Sequence, residues 1–345
     1  MPITKPRLAA LAAASAAAVL ILAGCSAAPA DAGQANGSGD GLSVVATTTQ
    51  VADFTRNVVG DTPGTSVTQL IQPNQSAHSY DPSAADLAVL AEADVLVING
   101  VGLESWLDDA IEASGFDGAT VDADHGVVIQ DADGHEDETE SSETETGEAG
   151  HDHSSGNPHI WTDVQNAQAM VTTIADGLAS ASDAHADAFR ASADAYTGKL
   201  AELDAWIRAN VDTVPAPSRL LVANHDALGY FTAAYGITYV GSIIPSFDDN
   251  AEPSAAQIDE LVSAIKKAGV TAVFSEASVS PKTARTIAGE AGVEVFSGED
   301  ALYVDSLGPD GSPGETYISS QVHNVTAILR SWGVSPSPVP AGLEP

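Results

Sequence analysis

The sequence predicts an α/β fold: two lobes, each with a roughly four-stranded parallel sheet flanked by helices, joined by one long rigid helix. Three observations predict it. Short β-rich runs alternate with helical patterns through both halves of the 345 residues, and such alternation builds parallel sheets covered by helices. Phe189, Ala193, Tyr196, Leu200, Leu203 and Ile207 step by four and three, forming one apolar stripe at helix spacing. Hydrophobic residues make up 44% of the chain, enough for packed cores.

The chain opens with Lys5 and Arg7, then an almost unbroken apolar run from Leu8 to Leu22. At about 15 residues this run is short against the roughly 20 that span a bilayer. A basic start, a short apolar run and small residues read as a secretory signal over 1–24. It ends Leu22-Ala23-Gly24-Cys25, similar to the bacterial lipobox, in which the cysteine carries lipid. Cys25 is the chain's only cysteine, so no internal disulfide and no cysteine zinc finger can form. Residues 25–42 are rich in Ala, Gly, Ser and Asp and read as a flexible tether. The expected location is extracytoplasmic, anchored by lipid to the outer face of the cell membrane.

The first lobe, 43–160, holds four expected strands: Ser43–Thr48, Ser66–Ile71, Asp94–Asn99 and a weaker Ala119–Asp122. Helical spacing covers Val51–Val59 and Ser83–Ala91, the latter capped by Ser83. An acidic segment, 131–153, interrupts this lobe. Residues 161–217 form a helical linker; its long helix is capped by Asp183 and stopped by Pro215 and Pro217. About 30 helical residues would span roughly 45 Å. The second lobe, 218–333, repeats the rhythm with strands Arg219–Ala223, Thr238–Ile243, Val270–Ser275 and Val293–Phe296. Ser254–Ala268 is a helix with Ser254 as cap and Gly269 as terminator. The Pro-rich tail, 334–345, is expected to be unpacked.

Charge narrows the partners. Twelve Lys and Arg stand against 48 Asp and Glu, a formal net charge of −36. Such a polyanion repels phosphates, so nucleic acid is excluded, and it attracts cations. Segment 131–153 holds ten acidic residues with His135, His151 and His153 and no large apolar side chain. It reads either as a loose, weak collector of metal ions or as a solvated loop without a role.

Of nine histidines, three sit where strands end or chains turn. His78 lies in QSAHSYDP, between a strand and the helix capped by Ser83. His159 lies in NPHIWTD, where Pro158 holds Asn157 extended. His225 lies in ANHDA, directly after a strand, and Asp305 lies in YVDSLG, past the last strand. In parallel sheets, ligands bind outside the carboxyl ends of the strands. Three imidazoles and one carboxylate would close a four-coordinate site that Zn²⁺ accepts.

Between Ser43 and Trp332 the chain resembles the zinc/manganese substrate-binding lipoproteins of bacterial ABC importers. The motifs that carry the resemblance are AHSYDPS, NPHIWTD, NHDALGYFTAAYG, PSFDDNAEPSAAQI, VFSEASVSPK and YVDSLG, in that order. The resemblance implies metal ligation by His78, His159, His225 and Asp305, delivery of the ion to a membrane permease, and no enzymatic activity. It also implies the zinc branch, which carries a His-rich acidic loop before the second ligand. Manganese-selective relatives typically have Glu where this chain has His225, and imidazole favours zinc over the harder Mn²⁺. A manganese- or iron-binding homologue is the nearest alternative.

Other classes fit less well. A secreted zinc hydrolase would leave one metal position open, whereas Asp305 offers a fourth ligand, and neither His-Glu-x-x-His nor Gly-x-Ser-x-Gly occurs. An adhesin on the same scaffold is a third reading. A monomer is expected. His185 is expected to be exposed and His323 structural. Asp226 is a candidate either to orient ligands or to shape a turn, Glu276, at the end of a strand, is a candidate to lie near the site, and Tyr80 and Trp161 are expected to pack beside the ligands.

Overall fold

The computed structural model describes residues 41–130, 156–249 and 251–343. Cys25, His135, His151 and His153 lie outside the described residues, as do the leader and the whole of the acidic segment 131–153.

The first half runs β1 (Leu42–Ala46), α1 (Thr49–Val59), β2 (Thr65–Gln69), α2 (Ala84–Ala91), β3 (Val95–Ile98), α3 (Leu107–Ser114) and β4 (Ala119–Asp122). Its four strands form one parallel sheet in the order β2-β1-β3-β4. Two helices follow: α4 (Val164–Ala181) and α5 (Ala186–Val211). The second half runs β5 (Leu220–His225), α6 (Gly229–Tyr235), β6 (Thr238–Ile244), α7 (Ala255–Ala268), β7 (Ala272–Phe274), α8 (Lys282–Ala291), β8 (Glu294–Phe296) and α9 (Tyr317–Ser331). All its strand pairs are parallel too. They make two ladders, β5–β6 and β7–β8, rather than one four-stranded sheet. The fold is therefore α/β, with a four-stranded parallel sheet flanked by helices.

Local signals set the helix starts. The Ser83 side chain accepts from the Asp86 N–H, and the Asp86 carboxylate accepts from the Ser83 N–H, a reciprocal cap on α2. Ser254 and Gln257 do the same for α7, which Gly269 ends at φ +76°. The long helix departs from the expectation. It has 26 residues, starts after His185 rather than Asp183, and has no side-chain cap. It is thus about 39 Å long. The start is later because α4 occupies the preceding stretch, and Ser182–His185 is consumed by the turn between them. His185 is half-buried there, 3.1 Å from Ser182 Oγ, not exposed.

Alternation along the strands explains the layers. Val44 and Ala46 of β1, and Val95 and Val97 of β3, enter one large core, while Val45 and Leu96 face a smaller one against α2 and α3. Likewise Leu221 and Ala223 of β5, with Ala272 and Phe274 of β7, join the large core, while Val222 and Val273 face α7 and α8. A period of two sends neighbouring side chains to opposite faces, and both faces are covered. The large core also takes Phe54, Met170, Phe189, Leu203, Tyr317 and Leu329. The halves are therefore continuous through α1, α4, α5 and α9, not joined by a bare rod.

The tail is packed, contrary to expectation. Ser337 N–H donates to Asn210 Oδ1 at 2.7 Å, and Leu343 is buried. Its prolines suit an extended strap along α5, which offers Asn210 and Trp206 as partners. No helix among the described residues is long and apolar enough to cross a membrane.

Candidate metal centre

Three loops and the end of one strand converge. His78 comes from the loop after β2, and His225 is the last residue of β5. His159 precedes a short 3-10 turn at Ile160–Thr162. Asp305 follows β8 in a stretch that Leu302 pins by a parallel bridge to Glu276. Their donor atoms all lie within 4.8 Å of one another. His159 Nε2 is 3.3 Å from His78 Nε2 and 3.2 Å from His225 Nε2. Asp305 Oδ2 is 3.4 Å from His78 Nε2 and 3.1 Å from His225 Nε2, and Oδ1 is 3.3 Å from His159 Nε2. Donors about 2.05 Å from one tetrahedral ion stand roughly 3.3 Å apart, so these four fit a single ion.

The centre is dry on three sides. His159, His225 and Asp305 are buried, and only the His78 side chain, 10% exposed, reaches solvent. Trp161 packs edge-on against His159 and donates from Nε1 to the Val304 carbonyl at 3.1 Å, so it braces the segment that carries Asp305. Phe247 also approaches the His159 ring, tilted, with centroids 6.1 Å apart. Ser76 Oγ donates to Asp249 Oδ1 at 2.7 Å, tying the His78 loop to the second half.

Each buried ring has a fixed orientation. His225 Nδ1 donates to Glu276 Oε1 at 2.5 Å. His159 Nδ1 donates to Asn157 Oδ1 at 2.8 Å. Nδ1 is held on the outer side of each ring, so Nε2 is the nitrogen turned toward the centre. Sequence reasoning expects Glu276 only near the site; the ring contact makes it the partner of His225. Asn157 was missed as a partner, although an Asn two residues before a His is a local turn signal. Asp226 donates its N–H to Ser246 O and lies outside the donor cluster. His323 is structural, bonded to the Ala301 carbonyl at 2.9 Å. Tyr80 Oη donates to Asp86 and packs on Trp106.

Electrostatics make the cavity cation-seeking. Burial pushes the His159 pKa down to about 4, against the pull of Asp305, so its ring is neutral. Burial also opposes charge on His225, but Asp305 and Glu276 outweigh it and hold that pKa well above the ordinary value. For Asp305, burial favours the neutral acid, yet the imidazoles His225 and His159 hold its pKa well below the usual range. Burial raises Glu276 against the attraction of His225. Carboxylates therefore flank both nitrogens of His225, Glu276 at Nδ1 and Asp305 at Nε2, so the ring attracts a proton that a divalent ion at Nε2 would displace. Among the described residues, the only group of three or more His, Cys, Asp or Glu with donors poised on one point is this one.

The profile of the family described as zinc-uptake complex component A, periplasmic, matches residues 44–331. The chain belongs to this family. It is 32% identical to the manganese-binding lipoprotein MntA of Halalkalibacterium halodurans, over 90% of this chain and 94% of that protein. It is 30% identical to the zinc-binding lipoprotein AdcA of Streptococcus pneumoniae, over 84% of this chain and 56% of that protein. The solved periplasmic zinc binding protein TroA of Treponema pallidum shares the fold at a TM-score of 0.72 and 24% identity, covering 85% of this chain and 99% of that one. Family membership makes the chain an extracytoplasmic metal-binding component of an ABC importer, and at the family level these are substrate-binding transport proteins. The family's members include both zinc and manganese binders, so membership leaves the metal open.

Proposed function

We propose that this protein captures Zn²⁺ outside the cytoplasm and hands it to the membrane permease of an ABC importer. The observation that carries the reading is the donor set: His78, His159 and His225 Nε2 with the Asp305 carboxylate, spaced for one four-coordinate ion. Three imidazoles suit zinc, whereas Mn²⁺ prefers oxygen ligands and higher coordination. In this reading 1–24 is a signal, Cys25 carries lipid, 25–42 is the tether, and the protein works as a monomer. The ten carboxylates and three histidines of 131–153 gather further ions weakly beside the tight site.

Manganese is the second reading, and one observation favours it. Asp305 turns both oxygens toward the rings, Oδ1 to His159 and Oδ2 to His78 and His225, so it can supply two donors and raise the coordination number.

Protein stripped of metal and titrated with Zn²⁺ and Mn²⁺ in competition tests both. The zinc reading expects one tight Zn²⁺ that excess Mn²⁺ does not displace. It also expects His78→Ala, His159→Ala and His225→Ala each to abolish or severely weaken that binding in protein lacking 131–153. Tighter binding of Mn²⁺ overturns the zinc assignment; wild-type affinity in all three variants overturns the site.

A further inference from the structure

We infer that Tyr230 is a positioning residue for the metal centre, acting on His159 through Asn157. The inference rests on the reading that His159 binds a divalent ion. Tyr230 sits on α6 in the second half of the chain, 71 positions after His159 and five after His225. Its side chain is buried. The hydroxyl donates to the Asn157 carbonyl at 2.9 Å and accepts from the Gln130 N–H at 2.9 Å. Gln130 O in turn accepts the Asn157 N–H at 2.9 Å. One hydroxyl thus closes a ring of three hydrogen bonds around the Asn157 backbone.

Asn157 passes that constraint on. Its Oδ1 accepts from the His159 backbone N–H at 3.1 Å and from His159 Nδ1 at 2.8 Å. Next door, the Pro158 carbonyl is held by Asn99 Nδ2 at 3.0 Å. The backbone of 157–159 is therefore fixed from both sides, and the ring is left one orientation, with Nε2 inward. The approach of α6 is close. A Cβ on Gly229 would stand 2.9 Å from Asn157 Nδ2 and 2.9 Å from Gln130 Oε1, so a larger residue there would press on both side-chain ends. His159 and Asn157 are 0% and 3% exposed, so water does not replace a lost partner.

A tyrosine that only filled core space would affect folding and leave the ring alone. A positioning tyrosine affects affinity through His159 specifically. Partners that orient a ligating histidine are worth about 10–100-fold in metal affinity, and Tyr230 acts one bond further out, so about tenfold is expected. The experiment uses the full chain, wild type and Tyr230→Phe, with Zn²⁺ affinity measured by chelator competition and the His159 tautomer by long-range ¹H–¹⁵N NMR. Tyr230→Phe should weaken Zn²⁺ about tenfold and turn a single Nδ1–H tautomer into a mixture. Asn157→Ala should do at least as much, and the double variant should be no weaker than Asn157→Ala alone, because both act along one path. Wild-type affinity in Tyr230→Phe, or additive losses in the double variant, overturns the inference. If Tyr230→Phe melts early, the His159 tautomer is read well below its melting temperature, and a single Nδ1–H tautomer there overturns the inference. If the wild-type chain binds no Zn²⁺ and no Mn²⁺ saturably, the metal-site reading itself fails, a result separate from loss of the Tyr230 effect alone.

Discussion

Replacing Glu276 by Gln isolates what the buried carboxylate does for the metal centre. Glu276 Oε1 is 2.5 Å from His225 Nδ1, and both side chains are essentially inaccessible to water. Gln keeps the volume and an acceptor oxygen but removes the charge. A hydrogen bond to a charged group is worth roughly 1–1.5 kcal/mol more than a neutral one, which sets a floor near tenfold. The carboxylate also attracts the bound dication through the ring, which raises the loss toward the upper end of the 10–100-fold seen for such partners. The expected cost in binding is therefore about 1.4–2.7 kcal/mol. Chelator competition gives the affinity, and thermal melts with and without saturating Zn²⁺ give a second reading of it, since a ligand's stabilisation falls with its affinity. The metal-free variant should melt no lower than wild type. Burial already penalises the Glu276 charge, and Gln relieves that penalty. An unchanged affinity, or a variant whose metal-free melt collapses, would refute the assignment of Glu276 as the group that holds and charges His225.

Asp53 supplies a stability test remote from the centre. Burial raises its pKa to about 6, against hydrogen bonds from Tyr317 and Tyr196 that favour the charged form. The folded state thus holds its proton more tightly than the unfolded chain, so the charge costs stability above pH 6 and the cost is relieved as pH falls from about 6 to about 4. In metal-free protein, Asp53→Asn should flatten this dependence by about 3 kcal/mol between pH 4 and pH 8; parallel urea-melt profiles for the two proteins would count against it. Gly177 lies where α4 touches β4, and a Cβ there would stand 2.4 Å from Val121 Cγ2. Gly177→Ala should therefore destabilise by about 1–3 kcal/mol despite alanine's helix propensity, and a gain in urea midpoint would contradict the contact. Removing 131–153 should leave one tight Zn²⁺ by calorimetry and abolish weaker binding; an unchanged total stoichiometry would show that the segment binds nothing.

Much of the fold was legible because it is locally encoded. Ser83, Ser254 and Gly269 mark helix ends by hydrogen-bonding chemistry confined to one turn, and the apolar runs at Val44–Ala46 and Val95–Val97 mark strands buried on both faces. The start of the long helix was not local: His185 begins it because α4 and the turn use up the residues before. The tail misled for the same reason. Its prolines speak against regular structure, but whether such a segment packs depends on the Asn210 and Trp206 side chains waiting on α5. The split of the second-half strands into two ladders, and the continuous core through both halves, likewise depend on how distant segments meet.

The sequence by itself determined the donor types. Three histidines and an aspartate at strand ends, in motifs of fixed order, specify the chemistry, because residue identity sets what an atom can ligate. Only the tertiary structure decided which donors share a point and which partners hold them. Glu276 is 51 positions from His225, and Tyr230 is 73 from Asn157. No pattern along the chain records such distances, because they arise when the packing of β5, β7 and α6 closes the loops between them. Orientation of a ring is a property of that packing, and so is the convergence of four donor atoms on one point.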